Sequence, residues 1–222
     1  MQLRSLVMLR YHDPMDSSAA RFQHIERGIF LEYLTLGWNL VEGVVAVTSG
    51  VISGSVALLG FGIDSFIEMF SGGILLWRLR SENDGGDAEK VERRAQKLAG
   101  ISLLLLGVYV AVDSVKCLVR REVPARSAVG IGIAVLSLIV MPWLAHQKRK
   151  AAGALNSSAL HADSRQTSLC AYLSAILLGG VLLNALLGWW WADPVAGLAM
   201  VPIIANEGWC ALRGETCPDC SN

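Results

Sequence analysis

The sequence has little charge: only 17% of its 222 residues are Asp, Glu, Lys or Arg, against roughly a quarter in ordinary soluble domains. What charge it has cancels, nineteen Lys and Arg against nineteen Asp and Glu. No long-range field favours a polyanion, which argues against a nucleic-acid partner. Five cysteines, Cys117, Cys170, Cys210, Cys217 and Cys220, form no even set, and a small disulfide scaffold is excluded. The polar stretch from Met1 to Gly28 lacks a long apolar core and a small-residue cleavage site, so no cleavable signal peptide is expected. No internal repeat stands out.

What is abundant is apolar surface. Hydrophobic residues make up 53% of the chain and the mean hydropathy is +0.46. Apolar runs near 31–51, 56–78, 98–118, 127–146, 166–188 and 193–212 each match the roughly 20 residues that a helix needs to cross a bilayer. Ser53-Gly54-Ser55 reads as a tight turn, and Arg80 to Lys97, Arg120 to Arg126 and His146 to Lys150 as polar connections. Trp189-Trp190-Trp191 reads as an interfacial anchor. Fifteen of the basic residues fall on one side of these spans, and four, Lys116, Arg120, Arg121 and Arg126, on the other. The positive-inside rule then places both termini in the cytoplasm. The predicted fold is an all-α membrane protein with six transmembrane helices. Residues 1–28 form a cytoplasmic N-terminal segment, 29–213 the transmembrane domain and 214–222 a short cytoplasmic tail.

Polar residues inside a bilayer are costly and line pathways or pair with one another. The spans hold Asn39 and Glu42, then Asp64 and Glu68, then Asp113, then Gln166, Cys170 and Ser174, and finally Asn206 and Glu207. Asp64 and Glu68 are four residues apart and share one helix face. Two carboxylates that close, away from water, need a cation between them or must give up charge. A divalent metal with oxygen ligands fits that spacing; protonated carboxylates that merely tie the bundle together are the plainer reading. The sequence shows no Lys or Arg within the spans to serve as partner, which favours metal. Gln166 and Cys170 repeat the spacing with a weak neutral ligand and a soft one. Taken alone, that pair is unremarkable.

Depth gives a second test. Counting from the turn at 53–55, Asp64 and Glu68 lie about 13 and 20 Å deep, Glu42 about 16 Å and Asn39 about 21 Å. Glu42 thus shares their level, as a missing ligand, a proton acceptor or a helix–helix hydrogen bond. Gln166 and Cys170 lie about 33 and 27 Å from Gly188, so they are not level unless the fifth span tilts or protrudes.

Residues 50–68, GVISGSVALLGFGIDSFIE, resemble the second-helix signature of the cation diffusion facilitators, the cation-efflux family of divalent-metal/proton antiporters. Residues 160–174, LHADSRQTSLCAYLS, resemble its fifth-helix signature, and Trp191-Ala192-Asp193-Pro194 the start of its sixth helix. The resemblance implies efflux of a divalent transition metal, zinc first, in exchange for protons, by a homodimer in a lipid bilayer such as the bacterial cytoplasmic membrane. It implies metal ligands at Asp64, Glu68, Gln166 and Cys170, with Asp163 and Ser174 in supporting positions; depth, not the resemblance, adds Glu42 and Asn39 as supporting or proton-coupling residues. It implies neither an enzyme nor a prosthetic group.

The chain departs from the family pattern. Glu68 stands where the family has Asp, and Gln166 and Cys170 stand where it has His and Asp. Three readings stay open: a different metal, proton carriage by Glu68 and Cys170, or reduced transport. Many members also carry a cytoplasmic ferredoxin-like domain after the sixth helix; with the sequence ending at Asn222, none is expected here. Cys217 and Cys220 form one Cys-x-x-Cys. Two copies would supply four thiolates, enough for a tetrahedral zinc, and a reducible thiol pair on a loose tail is the alternative. Two rival functions remain: a metal-binding or regulatory membrane protein that does not transport, and an intramembrane enzyme with Cys170 as nucleophile. The second lacks an activating His within the spans.

Overall fold

Among the described residues, breaks between helices fall at Gly54, Arg121 and Gly188, each with a positive φ, and Ser55 and Ser127 cap the helices that follow the first two. The computed structural model describes residues 14–80, 87–155 and 158–213, all of whose regular structure is helical. The helices are α1 (Pro14–Ser53), α2 (Val56–Arg80), α3 (Asp87–Arg120), α4 (Ala128–Leu155), α5 (Ser158–Leu187) and α6 (Ala192–Arg213). Each contains a stretch long and apolar enough to cross a membrane: Ile25–Ser53, Val56–Trp77, Lys97–Arg120, Ala128–Leu155, Asp163–Leu187 and Ala192–Arg213. The architecture is the expected six-helix membrane bundle.

Several helices outrun their apolar runs. α1 starts at Pro14, α3 at Asp87 and α5 at Ser158, and α4 continues to Leu155, past the basic run at 148–150. Hydropathy marks where lipid ends, whereas a helix ends only where its backbone pattern is broken. Ala151-Ala152-Gly153-Ala154-Leu155 is mostly strong helix former and offers no stop.

At the other end of the bundle the turns are tight. Gly54 adopts φ +68° between α1 and α2, a conformation that glycine enters without steric cost. Ser55 Oγ accepts the Leu58 N–H at 3.1 Å, capping α2, and its hydroxyl donates to Asp193 Oδ1 at 2.5 Å. That bond ties the start of α2 to the start of α6. Asp193→Ala is expected to cost roughly 1–2 kcal/mol of stability, measured by thermal unfolding in detergent.

α2 lies at the centre, packed against α1, α3, α5 and α6, while α3 pairs with α6 and α4 with α5. α3 crosses α6 at close range. A Cβ on Gly100 would stand 2.7 Å from the Gly208 carbonyl oxygen, and one on Gly208 would stand 2.9 Å from that of Gly100. Small residues let helix backbones touch where lipid gives no hydrophobic drive. Gly208→Val is expected to push the pair apart and cost roughly 1–3 kcal/mol, read as a lowered midpoint in the same unfolding assay. Outward, Leu105, Val112, Val119, Ile139 and Leu186 are exposed, as lipid-facing residues are.

Candidate functional site in the bundle interior

The buried face of α1 carries a polar stripe. Glu32, Thr35, Asn39 and Glu42 are all buried at helical three- and four-residue spacing. Glu42 meets α2 and α5 at the level of Asp64, Glu68 and Cys170. The four side chains are nearly sealed, at 0%, 6%, 3% and 1% exposure respectively. Glu42 Oε2 accepts from Ser65 Oγ at 3.0 Å, and Cys170 Sγ lies 3.8 Å from the same oxygen. Cys170 also lies in the field of Glu42, Glu68 and Asp64, and Glu68 lies in the field of Lys148 first, then of Asp64, Asp163 and Glu42. Ser174 braces this part of α5, donating to the Cys170 carbonyl at 2.7 Å with its oxygen 2.8 Å from Ser137 Oγ on α4.

Several atoms at this level have no hydrogen-bond partner: both amide atoms of Asn39, Glu42 Oε1 and Glu68 Oε1. Buried polar atoms are normally satisfied, so a cluster of orphans calls for an occupant or a rearrangement. Among the described residues, no three His, Cys, Asp or Glu side chains stand close enough to hold one ion as they are placed. The groups line one interior region without converging on a point. Gln166, one turn before Cys170 on α5, is half-buried. Despite the counted height mismatch, α5 begins as early as Ser158 and Cys170 lies beside Glu42.

Nearer the end of the bundle that carries both termini lies a second polar cluster. The sequence reading finds no basic residue inside the spans; the structure corrects it. Lys148 is fully buried, because α4 continues beyond its apolar run and turns Leu144, Ala145, Lys148, Ala151 and Ala152 inward. Arg149 and Lys150 are exposed. Lys148 Nζ reaches Asp163 Oδ2 on α5 at 2.5 Å, Glu32 Oε1 and Oε2 on α1 at 3.1 and 3.3 Å, and Thr167 Oγ1 at 3.4 Å. Gly72 lets α2 close over the cluster, since a Cβ there would stand 3.3 Å from Glu32 Oε2. Asp163 is therefore an ion-pair partner. Among the described residues, the ion-pair partners of Lys148 are Glu32 and Asp163, and no Lys or Arg forms an ion pair with Glu42, Asp64 or Glu68. Glu32 is the residue that the list of span carboxylates misses; its spacing with Thr35, Asn39 and Glu42 is the signal that finds it.

Asp113 pairs with Lys116 at 3.4 Å, away from both clusters. Cys217 and Cys220 lie outside the described residues.

With this geometry in view, comparison with known sequences is decisive for the family. The model of the cation efflux transmembrane domain matches residues 33–214. The chain belongs to the cation efflux family. It is 25% identical over 173 residues to an uncharacterized transporter of Synechocystis, covering 75% of this chain and 56% of that protein. It is 24% identical over 179 residues to an uncharacterized transporter of Methanocaldococcus jannaschii, covering 78% and 63%. It is 23% identical over 184 residues to Transmembrane protein 163 of Xenopus laevis, covering 82% and 65%. The chain thus spans 56% to 65% of the length of these relatives. The cation efflux family is one of cation transporters, and this member is an integral, multi-pass membrane protein.

Proposed function

We propose that this cation efflux protein exports a divalent transition metal, zinc first, in exchange for protons, as a homodimer in a bacterial cytoplasmic membrane with both termini inside. One observation carries the reading. Three carboxylates and a thiol lie buried together in the bundle interior, with no basic side chain paired to them among the described residues. Lys148 acts on Glu68 only from the neighbouring cluster, so the rest of the charge placed there must be matched by protons or by a bound cation. Asp64, Glu68 and Cys170 are the ligands, with Gln166 at the rim of the site.

The chemistry supplies the coupling. Carboxylate oxygens and a thiolate bind metal only when deprotonated, so metal and protons compete for the same lone pairs. The bundle opens toward the termini, the empty groups take the ion, and the helices rock to face the other side. Protons there displace the ion, and the protonated site returns.

The test is zinc uptake into proteoliposomes under an imposed pH gradient. Uptake that stops when a protonophore collapses the gradient is the expected result. Zinc binding without flux under any gradient would replace the reading with that of a non-transporting binding protein, which the Gln166 and Cys170 departures favour.

A further inference from the structure

A tetrahedral zinc with a sulfur ligand at about 2.3 Å and a carboxylate oxygen at about 2.0 Å holds those two atoms about 3.5 Å apart. Cys170 Sγ and Glu42 Oε2 are 3.8 Å apart, with neither exposed. Two ligands of one ion would need almost no movement to reach that separation. Glu42 Oε2 is oriented by the Ser65 hydroxyl at 3.0 Å, as the oxygen of a metal-bound carboxylate commonly is by an outer hydrogen bond. Its second oxygen makes no hydrogen bond of ordinary geometry, with Ser137 and Trp38 near the carboxylate, and Glu68 Oε1 likewise makes none. Lys148, a buried cation of the bundle, is paired to Glu32 and Asp163. The negative charge of Glu42 is thus left for a proton or a metal to balance.

We infer that Glu42 is the fourth direct ligand of the transported cation, beside Asp64, Glu68 and Cys170. The site is then built from three helices, α1, α2 and α5, where the family resemblance implies two. This rests on the transport reading only in taking the ion at this site to be the cargo. It assigns to α1 the ligand that Gln166, half-buried and neutral, supplies poorly. Asn39, one turn away on the same face and fully buried with both amide atoms free of partners, adds a neutral oxygen within the polar lining. Three carboxylates and a thiol exceed the charge of one divalent ion, so binding must release protons into the medium. Because α1 also carries Glu32, the cargo and the Lys148 ion pairs act on one helix.

The test uses the full chain in detergent, with zinc for affinity and cobalt as a spectroscopic substitute. Glu42→Gln keeps the shape and an acceptor for Ser65. It is expected to weaken zinc at least about 100-fold, the upper end of what outer-shell changes do, and to change the cobalt ligand-field bands. Cys170→Ser is expected to remove the sulfur-to-cobalt charge-transfer band, while Asp113→Asn leaves both readouts unchanged. Zinc affinity within about threefold of native in Glu42→Gln, with an unaltered cobalt spectrum, would overturn the assignment. So would a loss of affinity with the bound cobalt spectrum intact, which marks a merely structural role. A native chain that binds neither ion overturns the assignment and the transport reading together. A native chain that shows the expected binding pattern without flux supports the ligand assignment and removes only the transport reading.

Discussion

Replacing Lys148 by Met is expected to cost roughly 3–5 kcal/mol of stability, the scale for removing one partner of a buried ion pair. The cation is fully buried between two carboxylates that come from different helices. Methionine fills the space but leaves Glu32 and Asp163 with like charges, little water and no counter-ion. The damage lies in the uncompensated carboxylates, not in lost packing, so it is repairable. Lys148→Met combined with Glu32→Gln and Asp163→Asn removes all three charges and is expected to recover most of the loss, since apolar replacement of a whole buried ion network is often close to neutral. Unfolding midpoints in a single detergent measure both variants. A loss below about 1 kcal/mol for the single variant would give the pair the value of a solvated surface bridge.

Asp64→Asn is expected to bring proton-driven zinc flux to background, a fall of at least about 100-fold if a direct ligand is lost. The substitution is nearly isosteric, and Asp64 has no Lys or Arg partner among the described residues, so the fold is expected to survive. It changes the charge seen by Glu42 and Glu68, which share its surroundings. Both halves of the exchange then suffer, because the same carboxylate binds metal and accepts a proton. Zinc flux within about threefold of native would place the cargo elsewhere. Circular dichroism and gel-filtration behaviour like the native chain's would show that any lost flux is not lost folding.

The two predictions separate what the sequence makes legible from what it hides. Six apolar runs of bilayer length dictate six helices, because a backbone in lipid must satisfy its own hydrogen bonds. Asp64 and Glu68 are visible through their four-residue spacing in an apolar run, and Cys170 through its place in the fifth-helix pattern. Lys148 is hidden, since a basic residue after an apolar run reads as the edge of a span. Only the continuation of α4 turns it inward while Arg149 and Lys150 face out. Glu32 is hidden for a related reason, lying at the margin of the first apolar run; the helix face, not the run, decides its burial. Depth arithmetic brings Glu42 level with Asp64 and Glu68 but leaves Cys170 too deep, because it counts from Gly188 without knowing how α5 lies against its neighbours. The approach of Glu42 to Cys170 is a tertiary fact, and only packing supplies it.

The most direct test of the central claim is to follow zinc and protons in the same vesicles. Proteoliposomes holding a trapped pH-sensitive dye and a trapped zinc indicator would be given external zinc with no imposed gradient. The exchange reading predicts zinc entering as protons leave, both signals vanishing together in Asp64→Asn. Zinc entry with no proton movement in the opposite direction would contradict it.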